Sequence, residues 1–181
     1  PRGPARGQKR PGVIPLALLA AFLPCVSQDD LSVHFAPTGE RRALEAAIGR
    51  ELRGASRTID VALFHFTSER LARALDERAR AGVQVRILLD AVQSSPDFVR
   101  RLRAGGTEVR LVTPRWSEGA RFHHKFAVLD GKIVATGSYN WTVMGDIANH
   151  EDVVIVRREP VARVYQETFE RLWQDKELSQ P

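Results

Sequence analysis

Apolar positions along this chain recur with two different periods, and the period switches from one segment to the next. Leu31 to Phe35 alternates apolar and polar residues and closes at Ala36-Pro37, which predicts a short strand. Thr38 is placed to cap a helix from Gly39 to about Arg53, with Leu44, Ala47, Ile48 and Leu52 on one face. Thr58 to Phe66 (TIDVALFHF) is dense in β-branched and aromatic residues and predicts a buried central strand. Thr67 or Ser68 caps the next helix, which turns Leu71, Ala74, Leu75 and Ala79 inward and stops at Gly82. Val83 to Leu89 predicts a third strand, ending at Asp90. Pro96 opens a short helix to about Ala104, broken by Gly105-Gly106, and Thr107 to Val112 predicts a fourth strand. A polar loop, Thr113 to Ala120, follows. Phe122 to Leu129 and Lys132 to Thr136 read as a hairpin about the turn pair Asp130-Gly131. Asp152 to Val156 is another strand. A terminal helix from Glu159 to about Glu177 carries Val161, Val164, Tyr165, Phe169 and Leu172 on its apolar stripe.

Strands alternating with helices imply an α/β architecture, a mixed β-sheet sandwiched by helices, in one domain over residues 28–181. No internal repeat and no low-complexity linker interrupts it. Residues 1–27 are different in kind. A basic stretch to Arg10 precedes the apolar run Val13 to Val26, and the first acids, Asp29 and Asp30, come directly after. That is the layout of a secretory signal peptide, which predicts a secreted or periplasmic protein. The other reading is an uncleaved membrane anchor through residues 13–26, although a run of 14 residues with Pro15 and Pro24 is short for a span. Cys25 is the only cysteine, so removal of this segment leaves no disulfide and no cysteine-rich metal site.

Charge changes the picture less than it first promises. The formal net charge is +5, but residues 1–27 hold +4 of it, and the rest of the chain is left with +1. Any field that attracts a phosphate is therefore local. Arg115, Arg121, Lys125 and Lys132 stand close together in sequence and predict such a field around the hairpin.

The hairpin also carries the candidate chemistry. Side chains of a strand alternate in direction, so His123 and Lys125 share one face and His124 points to the other. An imidazole beside an ammonium suits a phosphodiester: one group attacks phosphorus and the other neutralises the oxygens. The pair is not a metal-ligand pattern, and no metal or other cofactor is expected. Ser138 and Asn140, just after the second hairpin strand, can donate hydrogen bonds to the same oxygens. Glu151 can accept from a histidine ring nitrogen and fix its tautomer. Asp130 has two readings, a catalytic carboxylate or the aspartate that a tight turn before Gly131 selects. Arg115, Trp116 and Arg121 form either a substrate rim, with Trp116 stacking a base, or an exposed loop with one anchoring aromatic. His65, inside an apolar run, reads as a core histidine.

His123-x-Lys125-x4-Asp130, followed by Gly137-Ser138-x-Asn140, resembles the HKD signature of the phospholipase D superfamily. As a single copy in a short chain it looks like the small secreted bacterial endonucleases and the mitochondrial cardiolipin hydrolase/piRNA nuclease group. The likeness spans roughly Leu31 to Trp173 and is firmest from Arg121 to Glu151. It implies a phospholipase D-like fold with one signature copy per chain, and metal-independent hydrolysis through a covalent phosphohistidine. His123, Lys125, Asp130 and Glu151 would be the catalytic set, with Ser138, Asn140 and Lys125 on the phosphate. Members with two copies take the second histidine from the other copy. Here that implies a homodimer that brings two copies of His123 into one cleft.

Three functions fit these residues. The first is a nonspecific endonuclease acting on DNA or RNA. The second uses the same chemistry on anionic phospholipid, as a phospholipase D or cardiolipin hydrolase. The third is a catalytically silent nucleic-acid-binding member, disfavoured because His123, Lys125, Ser138, Asn140 and Glu151 are present together. Length favours the nuclease, since little chain remains to build an acyl-chain pocket.

Overall fold

The apolar run that begins at Thr58 lies at the centre of an eight-stranded mixed sheet. The computed structural model describes residues 28–38, 40–114 and 119–180. The elements are β1 (Leu31–Ala36), α1 (Ala43–Gly54), β2 (Thr58–Leu63), α2 (Glu69–Arg80), β3 (Gln84–Asp90), α3 (Pro96–Ala104), β4 (Glu108–Val112), β5 (Lys125–Leu129), β6 (Ile133–Gly137), α4 (Val143–Ile147), β7 (Glu151–Val156), α5 (Glu159–Gln174) and β8 (Ser179–Gln180). Their order across the sheet is β1-β7-β6-β5-β2-β3-β4-β8. β2, β3 and β4 run parallel, with α2 and α3 as the crossover helices that parallel neighbours need. β5 enters antiparallel beside β2 and starts the β5-β6-β7-β1 meander.

Strand alternation divides the core in two. Val61, Leu63, Ile87, Leu89, Ala127, Ala135, Val153 and Ile155 face α1, α2 and α3. Ala62, Leu88, Val128 and Val134 face α5, with its Ala162, Phe169 and Trp173. On the α5 face the buried Asp60 accepts two bonds from Arg86 (2.7 and 2.9 Å), and Gln166 and Glu170 of α5 close the network. A buried pair is tolerated only when so fully bonded, and it fixes how α5 crosses β2 and β3.

The structure moves several predicted boundaries. α1 begins at Ala43 and not at Gly39; Thr38 bonds to the Glu40 carbonyl and caps nothing. Its true cap comes from the far side of the chain. The buried Asp146 of α4 accepts from the Leu44 and Glu45 amides at 3.1 and 2.8 Å, satisfying two of the free N–H groups at a helix start. β2 stops at Leu63, short of Phe66, and the strand predicted from Phe122 starts at Lys125. α5 ends at Gln174, and its Val161 and Val164 are exposed although the apolar stripe placed them inward. The short α4 and the two-residue β8 carry no periodic signal long enough to read. The segment of residues 1–27 and the rim candidates Arg115 and Trp116 lie outside the described residues.

Because Asp146 serves α1 across 101 residues of chain, Asp146→Ala should cost about 1–2 kcal/mol, more than an ordinary surface substitution. Urea unfolding measures this, and a midpoint equal to that of the parent protein would show that the cap carries no stability.

Candidate active site

The catalytic candidates gather where β6 ends and where β5 and β7 begin. Segment 121–124 is irregular, and a buried carboxylate holds it in place. Asp90, last residue of β3, accepts from the Val92 and Gln93 amides (3.0 Å each) and from the Phe122 amide at 2.8 Å. The carbonyl of His124 then takes the Phe64 amide (2.8 Å), continuing the β2 pairing by one bond. These contacts leave His123 exposed beside Lys125, with Nδ1 3.1 Å from the ammonium. Both groups lie against Phe64, whose ring centroid is 4.4 Å from that of His123 and 5.3 Å from Lys125 Nζ. The predicted side-by-side placement is therefore present, although the residues reach it just before the strand begins.

His124 turns the other way, edge-on to Phe122 and Phe126 at centroid distances of 5.0 and 5.4 Å. Although its edge stays open to solvent, partial burial lowers its pKa, and the neighbouring Lys125 and His123 lower it further. Burial also lowers the pKa of Lys125, while the negative charge of Glu151 offsets part of that effect.

Gly137 sets the opposite wall. It stands in register between Lys125 on β5 and Val153 on β7, with φ of +152°, and a Cβ there would overlap the Asp152 carbonyl. That close approach brings Ser138 onto β7. The Ser138 hydroxyl donates to Glu151 Oε2 and accepts from the Asp152 amide at 3.1 Å, and Asn149 Nδ2 donates to Glu151 Oε1 at 3.3 Å. Two expectations change here. Ser138 is committed to Glu151 and not held free for phosphate, and Glu151 is held by Ser138 and Asn149 and not by a histidine. Asn140 keeps a buried side-chain oxygen without a partner, and its backbone carbonyl accepts from Thr142 at 2.6 Å. Tyr139 is buried between them; burial and the nearby Asp146 and Glu45 carboxylates push its hydroxyl far above the ordinary range.

Asp130 is elsewhere. It occupies the hairpin turn at the opposite end of β5, about 16 Å of strand from Lys125. Its carboxylate accepts from the amides of Ser56, Arg57 and Thr58 and from the Ser56 hydroxyl at 2.7–3.0 Å. The geometry gives it a turn-anchoring place and removes it from the cleft. Lys132 sits on that same turn, so it cannot add to the field around Lys125. Arg121 lies on the cleft side, with its guanidinium on the carbonyls of Gly119 and Ala120. Asp90, Phe64 and Asp146 were missed by motif reasoning. Only Asp90 leaves a signal, an aspartate that closes an apolar strand and opens a loop.

A family model described as cardiolipin synthase, PLD-like domain, matches residues 48–173. The chain belongs to the phospholipase D superfamily. Among curated relatives, the mitochondrial cardiolipin hydrolase of Xenopus laevis is 38% identical over 127 residues, covering 69% of this chain and 59% of that protein. The human protein of the same name is 34% identical over 135 residues, covering 72% and 52%. The chain thus spans a little over half the length of these relatives. Among solved structures, the phospholipase D family member Nuc of Salmonella typhimurium superposes with a TM-score of 0.71 at 21% identity, covering 83% of this chain and 95% of that one. NucT of Helicobacter pylori gives 0.70 at 21%, covering 80% and 95%. These two establish the fold, the mixed sheet with helices on both faces.

The Asp130 carboxylate yields a prediction that separates turn from cleft. Burial alone would raise its pKa, but the Thr58, Ser56 and Arg57 donors outweigh burial and hold it below the ordinary carboxylate value of 3.8. A depressed folded pKa stabilises the protein above the unfolded value, and that stabilisation is lost as pH falls through the folded one. Asp130→Ala should therefore cost about 1–3 kcal/mol at pH 7, less in strong acid, while turnover per folded molecule stays within about twofold. Urea titrations at the two pH values, with turnover on the same samples, test this; lost turnover at unchanged stability would return Asp130 to the chemistry.

Proposed function

We propose that this chain is a metal-independent phosphodiesterase that works through a covalent intermediate on His123, with nucleic acid as its first substrate class. The observation that carries the reading is the exposed His123–Lys125 pair facing the Ser138–Glu151–Asn149 chain. In the free site, Lys125 holds a ring nitrogen of His123. A phosphate whose oxygens draw the ammonium away releases that lone pair to attack phosphorus. The ammonium then stabilises the charge that develops on the oxygens. Glu151, fixed by its two donors, keeps a negative charge near this cluster of cations and limits their mutual repulsion. Water finally attacks the phosphohistidine and releases the product.

The site is open, and His123, Ser138 and Asn149 are all exposed, which suits a strand laid across the rim. An anionic phospholipid is the second reading, favoured by the name that relatives at 34–38% identity carry. The leaving oxygen needs a protonated acid. Since the chain holds one signature copy, the proposal assigns that role to His123 of a second subunit in a shared cleft.

Purified protein is to be incubated with single-stranded DNA, RNA, plasmid and cardiolipin vesicles, with excess EDTA throughout. Cleavage of the nucleic acids should persist, His123→Ala should lower it at least about a thousandfold, and His124→Ala should leave it within about tenfold. Cleavage of cardiolipin alone would put the lipid reading first, and loss of all activity in EDTA, restored by magnesium, would overturn the mechanism.

The shared cleft is tested by mixing parent protein with excess His123→Ala subunits. Activity should fall more steeply than dilution, because mixed dimers hold one nucleophile and no acid. A fall in simple proportion means that each chain works alone.

A further inference from the structure

β8 covers its neighbour β4 only in part. It pairs with Leu111 and Val112, so the earlier half of β4, Glu108 to Arg110, meets no further strand among the described residues. Two arginines converge on that free half from opposite sides of the sheet. Arg103 comes from α3 on the α1 side and donates to the Val109 carbonyl at 2.9 Å. Arg110, paired with Leu88, leaves β4 on the α5 side, where its guanidinium carbon lies 4.1 Å from the centre of the Trp173 ring and one N–H donates to the Trp173 carbonyl. Neither guanidinium has a carboxylate partner among the described residues. An open cavity of about 380 Å³ joins them, lined also by Thr107, Glu108, Val109 and Trp173. Thr107 is only 4% exposed, and its hydroxyl has no hydrogen-bond partner among the described residues.

These three side chains are donors with capacity to spare. Each guanidinium gives one bond to a backbone carbonyl and keeps most of its N–H groups for a ligand. Both are also held in place already, so little side-chain freedom is lost when an anion arrives. The number of donors selects the anion. A carboxylate has two oxygens in one plane, and a phosphodiester has two free oxygens. A phosphate monoester has three, enough for donors that approach from α3, from β4 and from Thr107. The cavity is larger than a bare phosphate and leaves room for the group that carries it. Glu108 on its rim can accept from the hydroxyls of that group, and the side of the Arg110 guanidinium away from Trp173 can take a base. The site is separate from the cleft: three strand spacings of about 4.8 Å lie between β5 and β4, and Lys125 faces the α1 side.

We propose that Arg103, Arg110 and Thr107 bind the phosphate monoester of a nucleotide at the outer edge of the sheet, apart from the cleft. The nucleotide is either free or the terminal residue of a strand. Hydrolysis of an internucleotide phosphodiester leaves a phosphate monoester on one side of the cut. The strand-end source therefore rests on the phosphodiesterase reading, whereas the phosphate chemistry of the site does not.

The test is calorimetric binding to the full chain at constant ionic strength, with adenosine monophosphate and adenosine as probes. The monophosphate should bind the parent protein and the cleft variant His123→Ala alike, and adenosine should bind neither. Arg103→Ala should weaken the monophosphate about tenfold, and Thr107→Val about threefold. Because Thr107→Val removes an unpartnered buried hydroxyl at nearly constant shape, its melting temperature should not fall, which separates a lost ligand contact from a damaged fold. A short oligonucleotide with or without a terminal phosphate, offered to His123→Ala protein, distinguishes the sources. Tighter binding of the phosphorylated strand, abolished by adding Arg103→Ala, identifies a strand end; binding confined to the monophosphate identifies a free nucleotide. Three results would overturn the proposal. The first is no saturable binding of either phosphorylated probe. The second is affinity for the monophosphate that survives both Arg103→Ala and Thr107→Val, which places it elsewhere, in the cleft if His123→Ala removes it. The third is equal binding of adenosine, which means that the phosphate is not recognised. Failure of the phosphodiesterase reading would appear separately, as a protein that cuts nothing and still binds the monophosphate through Arg103.

Discussion

The close approach of β6 to β7 at Gly137 is the constraint on which the site depends. No side chain can occupy that position, because the Asp152 carbonyl already fills the space where its first carbon would be. The approach sets Ser138 between Glu151 and the Asp152 amide, and it clears the sheet face between Lys125 and Val153. A larger residue would push β7 away and carry the Glu151 carboxylate with it. The glycine of the signature is thus a geometric requirement of two strands, and the chemistry inherits it.

Around that contact, buried carboxylates fix loops that no secondary structure would hold. Asp90 takes three amides from two loops, and Asp146 takes two from the start of α1. The buried Glu45 binds the hydroxyl of Ser68, the residue whose oxygen also caps α2 at the Leu71 amide. Each of these groups satisfies backbone or hydroxyl donors that burial would otherwise leave orphaned. The end of the sheet that carries His123 and Lys125 is consequently braced beneath those side chains, while His123 itself stays open to solvent. Under the proposed mechanism, such preorganisation would let Lys125 act without reorganising its surroundings.

The sequence exposed these two layers unequally. α2, α3, β3 and the hairpin were legible because their periodicity, caps and glycines agree with one another, as at Ser68, Pro96 and Gly82. The start of α1 was not, since its cap lies about a hundred residues away in a helix of one turn. Local rules offered Thr38 instead. The neighbouring His123 and Lys125 were found by spacing, but the partners of Ser138 and Glu151 were not, because cross-strand contacts depend on a register that spacing does not encode. Asp130 shows the same limit in reverse. Its place in the signature suggested chemistry, and its three amide partners lie on the loop before β2 and on that strand's first residue, Thr58.

Strand parity separates the two faces of this protein, and that separation explains the odd exposure on one of them. Lys125 and Glu151 project to the α1 face, where the core residues Ala127 and Val153 also point. Phe126, His124 and Phe35 project to the α5 face, which also carries the Asp60–Arg86 network, Arg110 on Trp173 and, opposite Phe35, Asp152. A shift of one residue in β7 would carry Glu151 away from Lys125, whereas the same shift in the edge strand β1 would exchange Phe35 for Ala36. The β5–β6–β7 pairings thus assemble the cleft, and the β1–β7 pairing, laid on their outer edge, decides which side of β1 is left bare.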